Sequence, residues 1–379
     1  MKLKIVDDLL AEAVKSPVFG DSFGRVSSGR PGLVLGRVEE ILDSTVTELG
    51  RCIELGMPEL ESEEVAALVR QIAPKAVCFC PALAADELTD TRRLSASAVA
   101  IGLMYWADQT MDRGDIAMPV AIELFGGRDV SVPDGRAELV QARLAALTCI
   151  EREIGELAKP EDAPLVLACF REQVLLNETR LHKLSIGYQN SDDRAGFLAV
   201  HATEIAQCMV TDAGFPSVSS SLYSIYRWHC PELPALAAVH AEEALVDLLQ
   251  VCNSVVRVAD ELGDWEIDTG HHPTWGSFAI NLFNQQHPSL LSAFLEEARL
   301  RPDARVGSLL RAFAGFRDGT DREKYGEHVM DHFFEHGRDR VNHLSRELRD
   351  KYHMYIKICK RILEIGYVNK VGDIALAGI

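Results

Sequence analysis

Three aspartates, Asp260, Asp264 and Asp268, recur at every fourth position in a short segment that also holds Glu261 and Glu266. On a helix, residues four apart share a stripe, so the three carboxylates stack along one face while Glu261 and Glu266 point elsewhere. Like charges at this spacing repel by roughly 0.2–0.5 kcal/mol per pair, so the repeat needs a cation to become favourable. Mg²⁺ carrying a phosphate fits such an all-oxygen set. Arg257 and Asn253 precede Asp260 on the same face. A guanidinium beside metal-binding carboxylates gives one site both signs of charge, which is what holding a metal–diphosphate requires. The neighbours Val255, Val256, Val258 and Leu262 are too apolar for a solvated helix face.

A second acidic run is Asp108-Gln109-Thr110-Met111-Asp112, with Asp115 just beyond. Asp108 and Asp112 share a helical face, and Met104 and Tyr105 lie one turn earlier. Carboxylates that cap an aromatic and apolar surface suit a cavity closed by metal.

The elements that carry these residues are helical. Apolar residues recur at three- and four-residue spacing over 34–55, 61–72, 93–112, 134–157, 161–188, 195–213, 236–262, 304–315 and 323–366, and strand-like alternation is nearly absent. Glycine- and proline-bearing breakers separate them, among them the segment before Gly32, Gly126-Gly127, Gly214-Phe215-Pro216, Pro231 and Gly270-His271-His272-Pro273. Residues 94–112 are nearly uncharged until their end, and 244–262 are mainly apolar until the acidic stripe. Each reads as a helix buried on most sides that delivers carboxylates at one end. Arranged antiparallel to their neighbours around a common cavity, the two would place both acid clusters at one mouth.

The whole chain has 379 residues, 39 basic against 57 acidic, and a formal net charge of −18. Its length supports a large core. Its charge argues against nucleic acid and anionic lipid, so an anionic substrate needs metal or local Arg and Lys. The nine cysteines are scattered through apolar patterns, and Cys78-Phe79-Cys80 lacks a second pair at zinc spacing. With no cationic start leading into an apolar run, and no stretch of about 18 apolar residues, the expectation is a cytoplasmic protein with reduced thiols and no membrane span.

Taken together, these motifs resemble those of class I terpene synthases, in particular the bacterial diterpene synthases. Asp108-Gln109-Thr110-Met111-Asp112 looks like the family's DDxxD motif with Gln109 in place of the second Asp. The segment from Asp260 to Asp268 looks like its (N/D)DxxSxxxE motif, with Asp264 for Ser or Thr and Asp268 for Glu. Arg257 matches the diphosphate-binding Arg that many members place three residues earlier. The family's diphosphate-sensing Arg has only loose counterparts in Arg180, His201 and Asp212-Ala213-Gly214. Its C-terminal Arg-Tyr pair is absent as a dipeptide, with Arg338, Arg340 and Lys351-Tyr352 as substitutes.

The resemblance implies a single all-α domain over 1–379 around a central apolar cavity, with 1–30 loosely attached. It implies three Mg²⁺ ions on Asp108, Asp112, Asp260, Asp264 and Asp268, and ionisation of a prenyl diphosphate, best matched by a twenty-carbon geranylgeranyl or labdane-type substrate. Arg257 and Asn253 would bind diphosphate. Tyr105 and Trp265, with Trp106, Phe197 and Trp275 in reserve, would steady a carbocation shielded from water. The implied partners are a second copy of the chain in a homodimer and an upstream prenyl diphosphate synthase or class II cyclase. Three alternatives remain open: a chain-elongating or head-to-head prenyltransferase, a helical metal phosphohydrolase drawing on His271-His272, and a non-enzymatic helical scaffold. The chain contains no DxDD-type motif for protonation-initiated cyclisation and no His-Asp dipeptide.

Overall fold

The computed structural model describes residues 31–79, 88–112, 137–172, 179–211, 214–263, 288–300, 308–309, 311–312, 314–315 and 322–371. Among these residues every regular element is an α-helix and there is no strand, so the fold is all-α. In chain order the helices are α1 (Pro31–Gly56), α2 (Ser62–Phe79), α3 (Thr91–Asp112), α4 (Ala137–Leu157), α5 (Ala163–Glu172), α6 (Thr179–Asn190) and α7 (Arg194–Thr211). There follow α8 (Phe215–His229), α9 (Leu236–His240), α10 (Glu243–Gly263), α11 (Pro288–Glu297), α12 (Arg322–His343), α13 (Arg346–Lys351) and α14 (His353–Val371). No helix among the described residues is long and apolar enough to cross a membrane.

The chain divides into two compact units. The first lies within Met1–Leu175 and Pro216–Ala238 and is built on α1, which packs against α2, α3 and α4. At its centre α3 is buried on nearly every side, from Leu94 through Met104 and again at Trp106 and Ala107. Small residues make this close packing feasible: a Cβ on Gly102 would sit 2.6 Å from Leu49 Cδ1 in α1. The same holds at the end of α1, where a Cβ on Gly56 would sit 2.5 Å from the ring of Trp106.

A buried polar knot fastens α8 into this unit. The Asp162 carboxylate accepts from Arg227, from Ser224 Oγ at 3.3 Å and from the backbone N–H of Leu236 at 3.2 Å. Trp228 donates from Nε1 to the Leu157 carbonyl at 3.0 Å and carries the Arg93 guanidinium 4.2 Å from its ring centre.

The second unit lies within Leu176–Phe215 and Val239–Asp373 and is organised by α10, which packs against α14, α12 and α7. α7 also packs against α6 and α11. The turn after α11 places Arg299 at φ 56°, a left-handed conformation unusual for a residue with a Cβ. Its N–H and that of Leu300 cap the carbonyls of Glu296 and Leu295 at 2.9 Å each, a Schellman pattern. The Arg299 side chain lies 3.1 Å from the Asp247 carboxylate of α10, which adds an interaction that holds the turn.

Three helices begin at or beside prolines, two of which lie in segments that the sequence marks as breakers. Pro31 opens α1, Pro288 opens α11, and Pro216 is the second residue of α8. A first-turn N–H has no intrahelical partner, so proline loses nothing there. The helices at 215–229 and 288–297 are therefore absent from the apolar-periodicity reading. α8 hides itself further by burying Ser217, Ser219, Ser220, Ser221 and Ser224. Some of these hydroxyls bond back to their own helix, Ser221 Oγ to the Ser217 carbonyl at 2.6 Å and Ser219 Oγ to the Pro216 carbonyl at 3.3 Å. The long periodic stretch 323–366 is three helices rather than one, because Ser345 caps α13 by accepting from the Leu348 N–H at 3.2 Å.

Candidate functional site

In α10 the residues Gln250, Asn253, Arg257 and Asp260 succeed one another at spacings of three and four, which places them on one helical face. Apolar positions around them are closed off: Val251, Val255 and Val258 are fully buried, and Cys252 Sγ donates to the Cys359 carbonyl of α14 at 3.5 Å. Asn253 is itself 1 % exposed. Its Oδ1, and Oε1 of Gln250, are buried oxygens with no hydrogen-bond partner among the described residues. Leaving a buried acceptor unsatisfied costs about 1–3 kcal/mol, a penalty that a bound cation or donor would remove. Arg257 is half-buried on the same face. The position of Asp260 in α10 is described, its side chain is not, and Asp264, Trp265 and Asp268 lie outside the described residues.

The α3 cluster is presented differently. Asp108 and Asp112 fall in the last two turns of α3, and their side chains, like Asp115, lie outside what is described. One turn before Asp108, Met104 is buried and Tyr105 is half-buried, so the aromatic candidate next to the acids is not sealed into the core. Trp106, by contrast, is packed against Gly56 and serves the core.

The loose candidates are occupied elsewhere. In the second unit, Arg180 Nε and His201 Nδ1 lie 4.0 Å and 3.5 Å from the Glu204 carboxylate, and all three side chains are substantially exposed. Phe197 stacks on His201 with ring centres 4.3 Å apart and meets Tyr188 edge-on. Arg338 pairs with Glu335, Arg340 donates to the Arg299 carbonyl at 3.5 Å, and the Lys351 ammonium sits 4.9 Å from the Tyr352 ring centre. Asp212, Ala213, His271, His272 and Trp275 lie outside the described residues, whereas Gly214 is described and adopts a left-handed φ of 74°.

Gln250 is the residue that sequence reasoning passed over. Its signal was present in the spacing, since it extends the Asn253–Arg257–Asp260 stripe by one turn toward the start of α10. Among the described residues no three His, Cys, Asp or Glu side chains gather as a metal site. No protein-family model matches the chain, and no curated protein matches it either.

Proposed function

We propose that the chain is a class I terpene synthase, which ionises a prenyl diphosphate with Mg²⁺ and releases diphosphate and a terpene hydrocarbon or alcohol. The observation that supports the reading is the polar stripe of α10, in which a buried acceptor on Asn253, without a partner among the described residues, precedes Arg257 by one turn and Asp260 by two. A carbonyl oxygen without a donor fits a hard cation, and the acids along the same stripe supply further oxygens of the kind Mg²⁺ selects. Asp260, Asp264 and Asp268 are the proposed ligands of the second unit; Asp108 and Asp112 of α3 are proposed as ligands on the likeness of their motif alone. When bound, Mg²⁺ neutralises the charge that builds on the departing diphosphate.

Arg257 supplies fixed donors to the diphosphate oxygens, and its half-buried setting strengthens each bond relative to water. Asn253 orients the polar end of the stripe. Tyr105 offers an aromatic face beside Asp108 for a developing cation. A twenty-carbon substrate is the proposed length, and it rests on the likeness of the motifs to diterpene enzymes.

Incubation of the protein with ten-, fifteen- and twenty-carbon allylic diphosphates and with a labdane-type diphosphate, read by gas chromatography with and without Mg²⁺, tests the proposal. Mg²⁺-dependent release of hydrocarbon or alcohol from one of them is the expected result. Consumption of added isopentenyl diphosphate would reassign the chain to prenyl elongation. Phosphate release without any terpenoid product would favour the phosphohydrolase reading.

A further inference from the structure

The first unit holds a second chemical cluster that the proposed reaction does not use. Cys52 of α1 and Cys149 of α4 meet where these helices pack, 0 % and 6 % exposed respectively, and both are free thiols. Around them is a charged ring: Arg51 Nη2 lies 3.9 Å from Cys149 Sγ and 2.7 Å from Glu48 Oε1, and the same Glu48 oxygen lies 3.9 Å from Cys52 Sγ. Arg152, one turn's edge from Cys149, bonds both Glu48 and Glu153. The two thiols thus occupy opposite fields, Cys149 beside guanidinium and Cys52 beside carboxylate.

This asymmetry separates their ionisation. The hydrogen bond from the Cys52 thiol, then the Arg152 and Arg51 charges, hold the Cys149 thiol below its ordinary range against the opposing effects of burial and the Glu48 charge. The hydrogen bond to Cys149, burial and the Glu48 charge all push Cys52 up. The charged groups that reach the pair are Glu48 and Arg51 from α1 and Arg152 from α4, with Glu153 bound to Arg152. Arg51 and Arg152 are about half-exposed, so the rim of the cluster is open to small solutes.

We infer that Cys149 and Cys52 form a peroxide-reactive dithiol, in which Cys149 is the attacking thiolate and Cys52 the resolving thiol. The Cys149 thiolate attacks one peroxide oxygen, the O–O bond breaks, and the sulfur becomes a sulfenic acid while hydroxide leaves and is protonated to water. Cys52 sulfur then attacks the Cys149 sulfur, the S–O bond breaks, and the Cys52 proton passes by way of the Glu48 carboxylate to the departing oxygen, which leaves as a second water. Two thiols lose two electrons to one peroxide, and the product is a Cys52–Cys149 disulfide joining α1 to α4.

The molecule contains its own control. Cys252 and Cys359 form another close pair in the second unit, but both are 0 % exposed, and burial raises the Cys252 thiol well above its usual value. No cation among the described residues lowers the Cys252 thiol, and a protonated thiol is a poor nucleophile.

Titration of the full chain with hydrogen peroxide, followed by alkylation under denaturing conditions and peptide mass mapping, tests the inference without reference to any catalytic activity. The expected product is a Cys52–Cys149 crosslink formed while Cys252 and Cys359 remain alkylatable, with a rate that rises with pH and levels off once Cys149 is ionised. Cys52→Ser should instead accumulate a dimedone-reactive sulfenic acid at Cys149. With the Cys149 thiol lowered to about 6, Arg51→Gln should slow crosslinking by up to about tenfold at about pH 5 and by about twofold at neutral pH, the effect of one pKa unit on the thiolate fraction. Oxidation spread evenly over the buried cysteines, crosslinking only after denaturation, or a rate indifferent to Arg51→Gln would each overturn it.

Discussion

α3 and α10 both lead to an acidic run, yet they are built by opposite rules. α3 is buried nearly all round by small and apolar side chains, close enough to α1 that Gly102 has no room for a methyl group against Leu49. α10 interrupts its apolar surface with a stripe that includes a fully buried Asn whose acceptor finds no partner among the described residues. Under the proposed function, the difference separates a helix whose body is scaffold from one whose body takes part in binding. Substitutions along α3 should therefore change stability, and substitutions along the α10 stripe should change activity.

Under the proposed function the largest expected effect is that of Asp260→Ala, on the order of 10²-fold or more in Mg²⁺-dependent turnover with little change in thermal midpoint, because a carboxylate that held Mg²⁺ would act on charge built in the reaction. Gly102→Ala should do the reverse, lowering stability by about 1–3 kcal/mol in denaturant titrations through overpacking against Leu49 while the folded fraction keeps its turnover number. Asn253→Leu sharpens the contrast most. It removes a buried, unsatisfied polar group, so the protein should unfold no more easily than before, or less so, while turnover falls by roughly tenfold, about 1.4 kcal/mol. Loss of stability together with unchanged turnover would make Asn253 an ordinary structural residue. The smallest effect belongs to Glu266→Ala, which is out of phase in sequence with the fourfold spacing of Asp260, Asp264 and Asp268; it should leave turnover within about twofold, whereas Asp264→Ala should lower it far more.

The helical class was legible because three- and four-residue apolar spacing has one structural meaning over long segments. α3 as a helix buried on most sides was legible for the same reason, from the near absence of charge between Leu94 and Ala107. α8 and α11 were not. Proline at the start of a helix and proline between helices look alike in sequence, and the buried serines of α8 carry no apolar signal although their hydroxyls can be satisfied within the helix. Burial of Asn253 was foreshadowed by its valine neighbours, but the orphaned oxygens of Asn253 and Gln250 depend on tertiary surroundings that no spacing rule supplies. Likewise, nothing in the separation of Cys52 from Cys149 along the chain announces that α1 and α4 bring them together.

Calorimetric titration of inorganic diphosphate into the protein, with and without Mg²⁺, tests the central claim about the α10 stripe most directly, because it needs no knowledge of the natural substrate. Saturable binding that requires Mg²⁺ and is weakened at least about tenfold by both Asp260→Ala and Arg257→Ala is the predicted result. Absence of Mg²⁺-dependent binding, or binding that both variants leave untouched, would contradict it.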